Sequence, residues 1–195
     1  MSERQGFMNF YYFHGFGSSP KAKKAQAMAQ VLGGGNIKAP DFNLAGGAAV
    51  KALLDSLAAD IKNSNDETLI VGSSLGGLYA IYVSALSGCR CLLLNPCLFP
   101  QAVIGTLSAH VNVDDIVLAQ QLSLTAYASY KPENITVWVT KDDMLINHNV
   151  LTKPFFYKEP AQYRIFPKSR ATGHEFKGFK RNFYEYCISM GYLKP

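Results

Sequence analysis

The chain has 195 residues, 48% hydrophobic and 17% charged, which is enough apolar material for one domain with a substantial core. That balance excludes a disordered, low-complexity or collagen-like polypeptide. Nineteen Lys and Arg against fourteen Asp and Glu leave a mild +5, and the basic clusters at Lys21-Ala22-Lys23-Lys24, Lys168-Ser169-Arg170 and Lys177 to Arg181 are scattered, so solvated surface is expected and no nucleic-acid face.

Met1-Ser2-Glu3-Arg4-Gln5 has neither the apolar stretch nor the small-residue cleavage site of a secretory signal. No apolar run reaches the ~18 residues of a membrane span. Cys89, Cys91, Cys97 and Cys187 form no CxxC pair, and Cys89 and Cys91 would share one face of a strand. Free thiols, no zinc site and a cytoplasmic location are the expectation.

No repeat or linker divides residues 1–195, so a single domain is expected. Phe7 to Phe13 is an apolar, aromatic run ending at His14-Gly15, which reads as a buried strand. A loop with Gly17, Ser18, Ser19 and Pro20 leads to a helix from near Lys21 to Gly33-Gly34-Gly35, since glycine commonly follows a helix C-terminus. Asn36 to Pro40 is a short strand candidate. Val50, Leu53, Leu54, Leu57 and Ile61 then recur with the spacing of a helix that has one buried face.

Thr68 to Val71 predicts a short buried strand running into Gly72, and Leu75 to Leu86 a helix apolar nearly all round. Cys91 to Leu94 is the next strand, stopped by Asn95-Pro96. Ile135 to Thr140, with Trp138 inside it, and Tyr163 to Phe166 follow as strands. Phe176, Phe179, Phe183, Tyr186 and Met190 line one face of a terminal helix. Alternating strands and helices imply βαβ crossovers, hence a mostly parallel central sheet with helices on both faces. Phe99 to Tyr130 lacks a clear strand. Val103, Ile104, Leu107 and the run Ile116 to Leu124 look helical, and the segment is either a cap-like insertion or a longer crossover packed on the sheet.

Gly72-Ser73-Ser74-Leu75-Gly76 matches G-x-S-x-G with Ser74 at its centre, between a short apolar strand and a buried helix. A serine hydroxyl is a weak nucleophile and must be held on a sharp turn within reach of a base. So tight a turn brings strand and helix together, and Gly72 and Gly76 remove the side chains that would collide. Centring the motif on Ser73 would need glycines where Val71 and Leu75 stand. The new helix aims its free N–H groups at a developing oxyanion, and Leu75 would supply one donor. His14-Gly15-Phe16-Gly17, at the end of the first strand, occupies the place of the second donor, the Phe16 amide. The same glycines could open a dinucleotide loop, but the third glycine of that pattern falls on Pro20.

A base after the last strand and an acid before it complete the order Ser…Asp/Glu…His. His174, in Thr172-Gly173-His174-Glu175-Phe176, fits the base; His14 reads as a structural hydrogen-bonder, and His110 and His148 precede the last strand. The acid falls in Thr140-Lys141-Asp142-Asp143-Met144-Leu145, where Asp142 and Asp143 are both open; Asp114 and Asp115 are distant alternatives.

Four segments together resemble the YqiA/YcfP-like family of small bacterial α/β-hydrolase esterases. They are Tyr12-Phe13-His14-Gly15-Phe16 with Ser18-Ser19-Pro20; Gly72 to Gly77; Leu94-Asn95-Pro96 with Leu98-Phe99-Pro100; and Gly173-His174 with Phe176, Gly178 and Phe179. The resemblance implies a compact α/β-hydrolase fold lacking its two N-terminal strands, and esterase activity on small or acyl esters. It carries over Ser74 as nucleophile, His174 as base and Asp142 as acid, because Lys141-Asp142-Asp143 stands where the family has Gly-Asp-Glu.

The expected protein is therefore a serine esterase or thioesterase acting on a small-molecule ester, with Phe16 and Leu75 amides at the oxyanion and no metal or organic cofactor. Phe16, Leu98, Phe99 and apolar residues of 99–130 are expected to line the acyl pocket. The alternative is a hydrolase-fold binding protein that no longer turns over.

Overall fold

The computed structural model describes residues 8–35, 37–44, 46–103, 113–167, 174, 176 and 178–195. Six strands form one sheet in the order β2-β1-β3-β4-β5-β6, every neighbouring pair parallel. They are β1 (Met8–Phe13), β2 (Ile37–Lys38), β3 (Glu67–Ser73), β4 (Arg90–Leu94), β5 (Ile135–Thr140) and β6 (Gln162–Phe166). The helices are α1 (Lys23–Val31), α2 (Gly47–Asn63), α3 (Leu75–Ser87), α4 (Val113–Ser129) and α5 (Phe179–Ser189).

Strand alternation sorts the core into two layers, because successive side chains point to opposite faces. Phe13, Ile70, Leu93 and Val137 pack with α2, α3 and α4, whereas Tyr12, Val71, Leu92 and Trp138 pack with α1 and α5. Buried on both faces, the central strands need the near-continuous apolar runs that the sequence supplies. On α2 the buried stripe is Val50, Leu54, Ala58 and Ile61, with Leu53 and Leu57 at its margin. α3 is wedged between β3, β4, α2 and α4. That explains why Leu78 to Val83 is buried without interruption.

The order of strands places the site. After β1 the chain moves outward to β2, then returns across β1 to β3 and proceeds the other way. The crevice at such a reversal lies at the carboxyl ends of the strands that flank it, here β1 and β3. The loop His14–Gly17 and the turn at Ser74 are therefore neighbours through topology.

Within 99–130, the described parts are a 3-10 turn, Pro100–Ala102, and α4, which packs on α3 and α2. Ile104, Leu107 and His110 lie outside the described residues, as do Lys168-Ser169-Arg170, Thr172-Gly173 and Glu175. Between β5 and β6 the chain makes a π-helical turn, His148–Thr152, and a 3-10 turn, Lys153–Phe155, neither of them expected from the sequence. Their apolar residues do not recur at helical spacing; Phe155 and Phe156 are instead held by aromatic contacts with Tyr130. Cys91, Cys97 and Cys187 are buried free thiols and Cys89 is partly buried. Among the described residues, no helix is long and apolar enough to cross a membrane.

Candidate active site

The turn after β3 is closely packed on every side. Ser74 has φ 55° and ψ −121°, a conformation that a non-glycine residue holds only when its surroundings impose it. Those surroundings are close on every side. A Cβ on Gly72 would run into the Gly76 carbonyl and stand 2.7 Å from Ala80 Cβ; one on Gly76 would strike the carbonyls of Phe13 and His14. Both glycines are thus required by backbone-to-backbone approach. The Ser74 amide donates to Leu94 O at 3.0 Å, and its carbonyl accepts from Gly77 at 2.8 Å and Cys97 at 2.9 Å. The turn is pinned to both α3 and the end of β4.

So pinned, the Ser74 side chain faces an imidazole. Its Oγ lies 2.8 Å from His174 Nε2, and His174 Nδ1 lies 2.8 Å from Asp143 Oδ2. The three side chains form one hydrogen-bonded chain across the carboxyl edge of the sheet, from β3 to the loop before α5 to the loop after β5.

The carboxylate in this chain corrects the sequence expectation: it belongs to Asp143, and Asp142 is not the residue that meets the imidazole. The loop geometry decides it. Lys141 N donates to Phe166 O, closing the turn onto β6. Asp143 Oδ1 then accepts from the amides of Leu145 and Ile146, both at 2.9 Å. This local side-chain-to-backbone turn fixes the carboxylate and aims Oδ2 at His174. The Asp143 side chain is 1% exposed. Burial alone would raise its pKa; hydrogen bonds from His148 and His174, the charge His174 can carry and the Ile146 amide outweigh it and hold the carboxyl well below the usual range.

His174 is anchored through its backbone. Asn95 follows β4 with φ 42° and is 1% exposed. Its Nδ2 donates to His174 O at 2.9 Å and to Thr140 Oγ1 at 3.1 Å, and its Oδ1 accepts from Thr140 N at 2.8 Å. Two residues after His174, Phe176 stacks on Trp138 with centroids 5.8 Å apart. Asn95 and His148, which also touches Asp143, are site residues that the sequence reading did not assign. In the sequence Asn95-Pro96 reads as a strand stop and a mark of family resemblance, and His148 precedes the last strand. Asn95 could have been noticed as a polar residue immediately after a buried strand, and His148 as an imidazole five residues beyond an acidic pair.

His14 lies outside the chain. It is 2% exposed; its Nε2 accepts from the Phe42 amide at 3.1 Å, so the proton sits on Nδ1, 3.0 Å from Gly15 O. Gly15 sits directly over Ser74, where a Cβ would come within 3.0 Å of Ser74 Cβ. That approach brings the Phe16 backbone alongside the serine. Among the described residues, neither the Phe16 amide nor the Leu75 amide finds a backbone acceptor. Both residues border the same cavity as Ser74 and His174.

That cavity measures about 440 Å³ and is walled mainly by Phe16, Phe42, Val50, Leu118, Ala119 and Leu122. α4 thus supplies part of the wall. Leu98 and Phe99, expected in this wall, belong elsewhere: Leu98 is buried in the core and Phe99 packs on Phe155 at 5.6 Å. Tyr79 and Asp115 are polar exceptions on the lining. Burial, then the charge of Asp115, raises the Tyr79 pKa, so its hydroxyl stays protonated.

A parallel sheet covered on both faces, with a serine on a strained strand-to-helix turn after β3, defines the α/β-hydrolase fold. Solved structures of that fold superpose along nearly the whole chain. Alpha/beta hydrolase domain-containing protein 10 from mouse is 11% identical with a TM-score of 0.69, over 93% of this chain and 88% of that one. A lipolytic enzyme of the metagenome-derived LipS and LipT pair is 12% identical with a TM-score of 0.66, over 94% and 92%. Monoacylglycerol lipase from Paleococcus ferrophilus is 14% identical with a TM-score of 0.64, over 93% and 92%. At such identities the likeness is one of fold. Curated proteins gave no sequence match. The chain itself belongs to the uncharacterised protein family UPF0227, the YqiA/YcfP family, which it matches over residues 9–187.

Proposed function

We propose that this protein is a serine hydrolase of carboxylic esters or thioesters, with Ser74 as nucleophile, His174 as general base and Asp143 as the acid that orients it. The observation that carries this reading is the 2.8 Å contact between Ser74 Oγ and His174 Nε2 at a strained turn. Ser74 Oγ attacks the acyl carbon while its proton passes to His174 Nε2. Nδ1–H donates to Asp143 Oδ2, which fixes the tautomer and stabilises the imidazolium. The tetrahedral oxyanion accepts from the Phe16 and Leu75 amides, at the positive end of α3, each donor being worth about 10²–10³ in rate. His174 returns the proton to the leaving alkoxide or thiolate, and the acyl group stays on Ser74. Water, deprotonated by His174, then releases the acid. No step calls for a metal or organic cofactor.

The apolar cavity favours an uncharged, hydrophobic acyl group, and the α4 side of 99–130 acts as its cap. The esterase and lipase names of the structural neighbours support the same class of small-molecule substrate. Labelling with a fluorophosphonate tests the assignment. The native enzyme is expected to label stoichiometrically at Ser74 and to hydrolyse p-nitrophenyl esters, and Ser74→Ala to do neither. A native protein that neither labels nor turns over would be a hydrolase-fold binding protein and would sink the reading.

A further inference from the structure

Asp143 serves two imidazoles. His148, 6% exposed in the π-helical turn, places Nε2 2.9 Å from the same Oδ2 that His174 approaches to 2.8 Å. Its Nδ1 lies 2.7 Å from Thr152 Oγ1, and Thr152 is fully buried. Asp143 thus accepts four hydrogen bonds, two amides at Oδ1 and two imidazoles at Oδ2. The orienting job of a triad carboxylate needs one imidazole; the second is unexplained by the mechanism above.

We propose that His148 is a positioning residue that holds Asp143 Oδ2 on His174. The inference rests on the reading of Ser74, His174 and Asp143 as the reacting unit. With its proton on Nε2, neutral His148 donates to Oδ2 and accepts the Thr152 hydroxyl proton at Nδ1. As an imidazolium it donates to both. In either state Oδ2 has a donor on the side away from His174, so the carboxylate does not rotate out of line when Nδ1–H of His174 weakens or strengthens during turnover.

Glutamine at 148 keeps an N–H donor but cannot take a proton; leucine removes both. With a p-nitrophenyl ester, His148→Leu is expected to lower kcat about tenfold or more at unchanged KM, the scale on which partners of orienting groups act. His148→Gln is expected to stay within about threefold of the native rate. Native kcat in His148→Leu, or a tenfold loss in His148→Gln although it keeps the donor to Asp143, would overturn the proposal. If His148→Leu does not fold, the glutamine variant decides by the same kinetics. Failure of the serine-hydrolase reading has a different signature, namely no fluorophosphonate labelling of the native protein.

Discussion

The turn after β3 and the turn after β5 end at the same edge of the sheet, and each delivers one group to His174. They are built on opposite logic. At Ser74 the backbone is strained, and the neighbours that tolerate it are fixed by collision: Gly72 against Gly76 and Ala80, Gly76 against Phe13 and His14. At Asp143 φ is not positive, and the side chain is aimed by hydrogen bonds from Leu145, Ile146 and His148. A steric requirement writes itself into residue types at fixed spacing. A hydrogen-bonded loop can be satisfied by whichever of two adjacent aspartates the turn presents.

The sharpest test of this contrast sets the two aspartates against each other. Asp143→Asn should cost about 10⁴ in kcat, by removing the charge that holds the tautomer and offsets the imidazolium. Asp142→Asn should leave kcat within a few-fold. Steady-state kinetics on one ester separates them, and equal losses would mean that Asp143 holds no special place beside His174. Gly76→Ala probes the steric side. Its methyl has only main-chain carbonyls to displace, so destabilisation of about 3 kcal/mol or more is expected in urea unfolding, whatever the substrate. A smaller effect follows from Asn95→Ala. It strips His174 O and the Thr140 amide of their partner, at about 1–3 kcal/mol for a buried group left unsatisfied. An accompanying fall in kcat of about tenfold would show that the clamp positions the imidazole. Native kcat with lowered stability would reduce Asn95 to a structural role.

The mildest expected effect is on acid stability. Because the folded-state pKa of Asp143 is depressed, its stabilising contribution is complete above the ordinary carboxylate value of 3.8 and is lost as pH falls through the lower folded value. The stability gap between native protein and Asp143→Asn should therefore shrink as pH falls below about 4. Urea titrations at several pH values measure it, and a gap that widens on acidification would contradict the hydrogen-bonded arrangement.

Much of the fold was legible in the sequence for simple reasons. Strands buried on both faces must be apolar throughout, and α2 and α5 must each carry one apolar stripe; both patterns survive in a linear reading. The G-x-S-x-G segment was legible because its glycines answer to contacts within ten residues of each other or across one strand pair. Leu98 and Phe99 were misread as pocket wall because apolar character marks burial without saying which side of a turn is buried. The choice between Asp142 and Asp143 failed likewise, since a family alignment carries residue type but not the loop's own hydrogen bonds.

By itself, the sequence determined the alternation of elements, the parallel sheet and the strained serine turn, all of which follow from local periodicity and short-range sterics. Only the tertiary structure decided which carboxylate meets His174, that Asn95 holds that histidine's backbone, and that His148 shares Asp143. Asp143 and Asn95 meet His174 from 31 and 79 positions away, too far to leave a period or spacing to read, and the His148–Asp143 contact lies within an irregular turn that has no period either.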